Sequence, residues 1–558
     1  MDRGTSVQSG RQSDSWATAL MSRRAVDVLL ASLLFVAVFA FLRLLWPNIL
    51  IALDEGAFLY EAKLILDGKL MYRDFFDLTG PAAQHAIALM FAVFGVSMDT
   101  ARGSMAILHA IIAALMYALA RRLGVRPLLA ATVCLVQIVL CYPAYPFATP
   151  HWFSTVLTLL IFFLLLREPA TRPRDAVLAG VLTAVVCLTQ QPKGASTAAA
   201  VAIVLLRDAW AARRTSPLGT LVARQFGSYV AATVAVLVLV LGALVISAGF
   251  EPVFDALVRQ PLGPYRAQPF VRDASWLPIP QNMAALWLLV TTWQVFFLTA
   301  GPLIIVVSAA RVIWRAARGM PVAERRQLFV AVVFSAFSIV SVLYQPNYNH
   351  FAIVAPIWLS LFAESLEQLS RRGEARGIRL AAPLMAAAIL AVLAIETRRV
   401  VIHAWAEGVD RDTAFGRVHF LTEAQADEVV ALRAALTNAD ATSVFVYPYG
   451  AGLYMMTETA NPTRFQLLIP AYNTPEQYSE VEHVLERERV PFVIRTLWWW
   501  GEDGDPLMPY LRAHYRRVAL PAASGVIPSL SLFRRKADGA ERNAADTAIG
   551  RRAGASVD

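Results

Sequence analysis

VDVLLASLLFVAVFAFLRLLW, from Val26 to Trp46, is apolar along almost its whole length. A helix needs about 20 such residues to cross the hydrocarbon core of a bilayer, and this run meets that length. No small-residue cleavage site follows it, so we interpret it as an uncleaved first span rather than a signal peptide. The 558-residue chain is 57% hydrophobic, and its mean hydropathy is +0.52. This composition predicts a polytopic membrane protein.

Ten further apolar runs of span-like length follow the first, which predicts about eleven transmembrane helices. Arginine pairs and triplets occupy every second connection, beginning with Arg23 and Arg24. Basic residues mark cytoplasmic flanks, so we expect the N-terminus inside and the C-terminus outside. The formal charge of +9 is explained by these flanks, and no nucleic-acid partner is predicted. The further runs are Gly103–Ala120, Leu128–Tyr142, Trp152–Leu166, Ala176–Thr189, Ala195–Leu206, Phe226–Ala248, Ala284–Ala310, Leu328–Tyr344, Phe351–Leu369 and Leu380–Glu396.

The short apolar stretch Pro81–Phe94 would break this charge alternation if it crossed the membrane. We therefore place it as a helix at the outer interface, within a first external loop that covers residues 47–102. Residues 1–22 are polar and irregular and are expected to be a disordered cytoplasmic segment. The predicted transmembrane domain then covers residues 23–398.

After the last span the composition shifts to that of a soluble protein, which predicts an external α/β domain over residues 399–536. Thr422 and Thr474 have the pattern of helix N-caps, each with Gln three residues later. A disordered tail over residues 537–558 is expected from its Ala, Gly, Arg and Asp content. The predicted strands are Ser443–Tyr447, Phe465–Ile469, Phe492–Arg495 and Ser529–Phe533.

LDEGAFLYEAKLILDGKLMYRDFFDLTGP, from Leu53 to Pro81, gives the first external loop six carboxylates. Cations outside the membrane run against the orientation rule, so the external ones also need an explanation. Carboxylates and cations together suit a reaction in which a base deprotonates an acceptor while cations hold a phosphate leaving group. The external cations are Lys63, Lys69, Arg73, Lys193, Arg259, Arg266 and Arg272, with His151 and His350 at external span ends.

These motifs resemble those of GT-C glycosyltransferases that use lipid-linked sugars, akin to bacterial aminoarabinose transferases and protein O-mannosyltransferases. The resemblance rests on LDEG, YEAK, DGKLMYRDFFD and TGP in the first loop, and on QPKG at Gln191–Gly194 and NYNHF at Asn347–Phe351. It implies an α-helical GT-C-like transmembrane domain in the bacterial inner membrane. The implied donor is a sugar on a polyprenyl phosphate, and the acceptor is a lipid, a glycan or a protein.

In that family the aspartate that begins the first external loop is catalytic, which corresponds to Asp54, with Glu55 beside it. Lys193, His350, Arg259 and Arg266 are the candidates to bind the donor phosphate. Asp74 and Asp77 are candidates for acidic or metal support. Many members also carry an acidic residue in the second external loop, but residues 143–151 contain none. A divalent metal is therefore left open as a cofactor.

Each acidic candidate also has a purely structural interpretation. Asp54 could cap a helix that Gly68 ends, because Asp is a favoured N-cap and Gly a favoured stop. Capping and catalysis do not exclude each other. Asp74 and Asp77 could be solvated loop charges.

The external cations and aromatics have structural alternatives as well. Lys193 could extend from a tight external turn to reach water, and His350 could be interfacial. Arg259 and Arg266 could meet lipid headgroups. The tryptophans Trp498–Trp500 could anchor the domain at the membrane interface or stack on a sugar.

The sequence thus predicts an inverting glycosyltransferase, with Asp54 as base and Lys193 stabilising the departing phosphate. One alternative is a transporter or flippase of lipid-linked saccharides, which would need ionisable residues within the spans. The other is a non-catalytic envelope assembly protein, for which the acidic loop would have no chemical purpose.

Overall fold

The computed structural model describes residues 6–50, 54–167, 171–213, 217–272, 282–283, 293–375, 381–405, 408–470, 472–496, 504–518 and 530–536. For residues 6–23, 269–270, 322–324, 381–382, 400 and 403–404 it describes the backbone only. The chain forms two compact units. The first comprises Met1–Asn48, Leu78–Val258 and Pro269–Glu407, and the second comprises Ile49–Asp77, Arg259–Gln268 and Gly408–Asp558.

The described helices, in chain order, are α1 Ser6–Leu44, α2 Asp54–Leu66, α3 Ala82–Phe94, α4 Met98–Arg122, α5 Pro127–Val136, α6 Pro150–Leu165, α7 Pro173–Thr189, α8 Gln191–Ala212, α9 Leu218–Val222, α10 Ser228–Ala248, α11 Phe250–Phe254, α12 Gln260–Leu262, α13 Pro264–Ala267, α14 Pro269–Arg272, α15 Gln294–Ala317, α16 Val322–Val340, α17 Tyr348–Ala375, α18 Ala381–Trp405, α19 Glu423–Thr437, α20 Gly452–Thr457, α21 Pro475–Arg487 and α22 Met508–His514. Short π-helical segments follow α5, α9 and α11.

The first unit consists of apolar helices. Each of the eleven predicted spans overlaps one of them, and seven described helices are long and apolar enough to cross a membrane. Two shorter apolar helices, α3 and α6, accompany them. The helical membrane fold is therefore confirmed, and the number of eleven spans stays a prediction. The seven are Arg24–Leu44, Met98–Arg122, Pro127–Ala144, Gln191–Ala212, Leu218–Ala248, Gln294–Ala317 and Tyr348–Ala375.

The core of the first unit is a continuous apolar cluster contributed by α4 to α8 and α15 to α17. Trp152 and Trp358 are fully buried in it. Helix α1 includes residues 6–22, where the sequence predicts a disordered segment. Helix α3 forms where an interface helix is expected, and Gly95 ends it at a φ of 86°, a backbone conformation that glycine adopts without strain.

The second unit carries the strands β1 Val409–Thr413, β2 Gly416–Phe420, β3 Phe445–Tyr447, β4 Phe492–Thr496, β5 Tyr515–Val518 and β6 Leu530–Arg535. The first two form an antiparallel hairpin, and the others form a sheet in the order β3-β4-β6-β5. Within this sheet β3 and β4 are parallel, whereas β6 is antiparallel to both of its neighbours.

Both predicted caps of the second unit are confirmed. Thr422 Oγ1 accepts a hydrogen bond from Gln425 N at 3.2 Å, and Thr474 forms a complete capping box with Gln477. Three of the four predicted strands are present, as β3, β4 and β6.

The predicted strand Phe465–Ile469 is wrong, because Phe465 forms only an isolated bridge with Phe76 and the segment forms no continuous ladder. Parts of its backbone bond to side chains instead. Asn461 Nδ2 donates to Phe465 O, and Ile469 N donates to Asn473 Oδ1, both at 2.8 Å.

Candidate active site

The six acidic residues between Leu53 and Pro81 lie in the second unit, and Asp54 is the first residue of α2. An acidic residue in a first turn is favoured by the helix dipole. The helix ends at Gly68, where φ is +80°. Gly68 N donates to Ile65 O at 3.1 Å and Lys69 N donates to Leu64 O at 2.9 Å, which is a Schellman motif. The helix predicted between Asp54 and Gly68 is therefore confirmed.

The two candidate bases, Asp54 and Glu55, differ in burial. Glu55 is fully buried, and Glu61 on the same helix is 2% exposed. Asp54 is only half-buried. A base must reach within hydrogen-bond distance of the acceptor proton, so partial exposure favours Asp54 over Glu55.

Two tyrosines that sequence reasoning missed interact electrostatically with Asp54. Tyr265 and Tyr472 contact each other edge to face, with ring centroids 5.8 Å apart. Burial raises the pKa of Tyr265, and the charge of Asp54 raises it further. Burial also raises the pKa of Tyr472, with additions from Asp77, Tyr265 and Asp54. These phenols stay protonated and can donate hydrogen bonds. Nothing in the sequence pattern distinguishes these two tyrosines from the others.

The carboxylate of Asp74 is engaged in hydrogen bonds within its own turn. Its carboxylate accepts from Arg73 Nε at 2.8 Å, from Arg73 Nη2 at 2.9 Å and from Leu70 N at 2.8 Å. The hydrogen bonds from Arg73 are the main reason that the pKa of Asp74 is lowered. Asp77 is 8% exposed. No group of three or more metal-binding side chains occurs among the residues that the structure describes.

Lys193 lies in the first unit, in the first turn of α8. The sequence places it in an external turn, but Gln190 alone separates α7 from α8. Pro192 is the overlooked signal, because proline is common in the first turn of a helix. The lysine is 4% exposed. Its Nζ donates to His151 O at 3.0 Å and to Thr155 Oγ1 at 3.4 Å.

Two histidines complete the surroundings of Lys193. His151 and His350 lie in the first turns of α6 and α17, and their ring centroids are 5.0 Å apart. They are 8% and 6% exposed. Gln190 Nε2 lies 3.0 Å from His151 Nε2 and can only donate, so the ring proton of neutral His151 is on Nδ1. That Nδ1 has no hydrogen-bond partner in the described part of the chain.

Three helix N-termini, those of α6, α8 and α17, meet at Lys193, each with the positive end of its dipole. No carboxylate pairs with Lys193 among the described residues. Such a combination of backbone dipoles, a cation and an imidazole donor binds anions. We name Lys193, His151 and His350 the basic cluster.

The remaining candidates are not members of the basic cluster. Arg259 and Arg266 are exposed and belong to the second unit, on the segment that carries Tyr265. The tryptophans at 498–500 lie outside the described residues. A cavity beside Lys193 is lined by Thr158, Thr197, Ser338 and Phe334, among others.

Comparison with known proteins gives structural neighbours only. No known protein family matches the sequence, and no curated protein matches it. The crystal structure of ArnT from Cupriavidus metallidurans bound to undecaprenyl phosphate is similar at a TM-score of 0.55 and 12% identity, over 93% of this chain and 98% of that one. The chain therefore has a fold like that of this ArnT structure.

Two further similarities are too low to carry an argument. The apo form of the same ArnT gives a TM-score of 0.47 at 13% identity, over 92% of this chain and 98% of that one. The arabinofuranosyltransferase AftD from Mycobacteria gives 0.42 at 15% identity, over 92% of this chain and 42% of that one. The fold expected from the sequence is confirmed by the first comparison, whereas the roles of the site residues stay predictions.

Proposed function

We propose that this chain is an integral-membrane glycosyltransferase that moves a sugar from a polyprenyl-phosphate carrier to an acceptor hydroxyl outside the membrane. The basic cluster is the observation that carries the proposal, because Lys193 is buried without a described carboxylate partner at three helix N-termini. A carrier phosphate would supply the missing negative charge. The fold supports the same donor class, since the ArnT crystal structure of this fold is bound to undecaprenyl phosphate.

Asp54 is the proposed general base. Its carboxylate takes the proton from the acceptor hydroxyl while the acceptor oxygen bonds to the anomeric carbon of the sugar. The bond between that carbon and the phosphate oxygen breaks, and the carrier leaves as polyprenyl phosphate with its electron pair. A single displacement of this kind inverts the anomeric configuration. The base contributes typically ~10²–10⁴-fold to the rate.

The basic residues are proposed to interact with the phosphate of the donor. Lys193 stabilises the negative charge that grows on the phosphate as the bond breaks, and His151 Nδ1 donates a hydrogen bond to it. His350 lines the same cluster. Exposed Arg259 and Arg266 have the weaker role of attracting the anionic headgroup to the membrane surface. We propose a cytoplasmic N-terminus, with Asp54 and the α/β domain outside in the bacterial envelope.

The direct test is donor consumption by the purified full-length protein in lipid vesicles. We would supply polyprenyl-phosphate sugars with a mixture of lipid and glycan acceptors, and measure the release of polyprenyl phosphate. A transferase releases the carrier and forms a new glycosidic bond. Movement of intact donor between leaflets without release would instead indicate a flippase, and no donor dependence at all would leave the proposal without support.

A further inference from the structure

The helix that begins with Asp54 touches α20 through two glycines. A Cβ built on Gly56 would lie 2.6 Å from Gly452 N and 3.1 Å from Gly452 Cα. Both opposing atoms are backbone, so no side-chain rotation would relieve the contact. Glycine inside a helix is normally unfavourable. Its presence two residues after Asp54 is therefore explained by the close approach of the two backbones.

A second contact lies one helical turn farther along the same face of α2. The rings of Tyr60 and Tyr454 have centroids 4.7 Å apart. The hydroxyl of Tyr60 accepts a hydrogen bond from Asn461 N at 3.0 Å. Positions 56 and 60 lie four residues apart and thus share one helix face. This face packs on chain that comes about 400 residues later in the sequence.

Residues 54–77, the acidic segment, also contact the α/β domain at their C-terminal end. Phe76 N donates to Arg464 O at 2.8 Å. The ring of Phe76 lies 5.8 Å from that of Phe465. The α/β domain therefore contacts the acidic segment at its start and at its end, and these contacts are internal to the second unit.

We infer that the α/β domain positions Asp54, with Gly56 and Tyr60 as the positioning residues. The inference rests on the proposed function, in which Asp54 is the base. Orientation of a base matters because a displacement of about 1 Å can cost ~100-fold in rate. The domain thus acts on the chemical step through α2.

The main test is Gly56→Ala in the full-length protein. The added methyl group must push α2 away from Gly452, so we expect kcat to fall at least ~10-fold while the donor KM stays within about 2-fold. Hydrogen exchange of residues 54–66 should accelerate, and exchange of the transmembrane helices should not change. A wild-type kcat in this variant, with its exchange unchanged, would overturn the inference.

A matched pair of variants decides the matter if Gly56→Ala fails to fold. Tyr60→Phe removes the hydroxyl that accepts from Asn461 N, and Tyr454→Phe removes one that accepts from Val446 N at 2.9 Å within the α/β domain. The chemical change is the same, but only the first loosens α2. We expect kcat to fall about 3- to 10-fold for Tyr60→Phe and to stay within about 2-fold for Tyr454→Phe. Equal losses would contradict positioning.

Hydrogen exchange separates this inference from the proposed function. If the wild-type protein consumes no lipid-linked sugar, the proposed function fails. Faster exchange of residues 54–66 in Gly56→Ala and Tyr60→Phe would still demonstrate the anchoring, and unchanged exchange would refute it.

Discussion

Two buried cations of the first unit have opposite surroundings. The guanidinium of Arg326 is fully buried, and it donates to both carboxylate oxygens of Asp208, to Thr171 Oγ1 and to Arg167 O. Asp208 also accepts from Thr171 N at 3.2 Å. Lys193 is nearly as buried but donates to two neutral oxygens only, among the residues that the structure describes.

The difference separates a cation paired with a carboxylate from one for which we propose a functional role. A buried charge is costly unless it is paired, and Arg326 meets this cost with its own carboxylate. Lys193 lies at helix N-termini, where a cation is disfavoured. A bound anion would compensate both the unpaired charge and the unfavourable dipoles. We therefore expect the two cations to respond differently to substitution.

The largest expected effect is on stability, at the paired cation. Asp208→Ala leaves Arg326 buried without its counterion, and breaking such a pair typically costs about 3–5 kcal/mol in the free energy of unfolding. Thermal unfolding of the purified protein measures the loss. Arg207→Ala is the control, because it removes one hydrogen bond to Asp208 and leaves the buried pair of Asp208 with Arg326 intact. An unfolding midpoint of Asp208→Ala equal to that of wild type would remove the contrast.

A smaller effect, on donor use and not on stability, is expected at the unpaired cation. Lys193→Met strands no carboxylate and replaces a buried polar amino group with an apolar side chain, so the unfolding midpoint should stay the same or rise. The kcat/KM for the donor should fall about 10- to 100-fold, because a hydrogen bond to a charged group contributes about 1.5–3 kcal/mol. Steady-state kinetics with varied donor measures this. A destabilised variant with an unchanged donor kcat/KM would make Lys193 structural, like Arg326.

The smallest effect is expected at the edge of the basic cluster. His350→Gln keeps a polar side chain but removes the ring, so we expect the donor KM to rise about 2- to 5-fold. His85→Gln is the control, since His85 also lies in the first turn of a helix but is exposed. Equal responses of the two variants would show that His350 does not bind the donor.

Apolar length and cap residues were sufficient to predict the helices, whereas the ArnT-like fold was expected from the resemblance of the loop motifs to a known family. The hairpin of β1 and β2 was missed because its strands, VDRDT and GRVHF, are polar and half exposed. Without an apolar alternation, a strand has no signal in sequence.

The composition of the candidate site could be predicted only in part. The sequence marked Lys193, His151 and His350 as external polar groups, but their meeting depends on the packing of α6, α8 and α17. The packing of α2 depends likewise on α20, which lies far along the chain and contacts it at Gly56. Local patterns name candidate side chains, whereas tertiary packing decides which of them meet.

The most direct test of the proposed mechanism is the transfer rate of Asp54→Asn, measured beside its donor binding on the same purified protein. Asn keeps the shape of Asp and remains compatible with a helix N-terminus, so folding should be normal. It cannot accept the acceptor proton, and we expect transfer to fall at least ~100-fold while donor binding stays unchanged. Transfer close to the wild-type rate would contradict the account and leave Glu55 as the remaining candidate base.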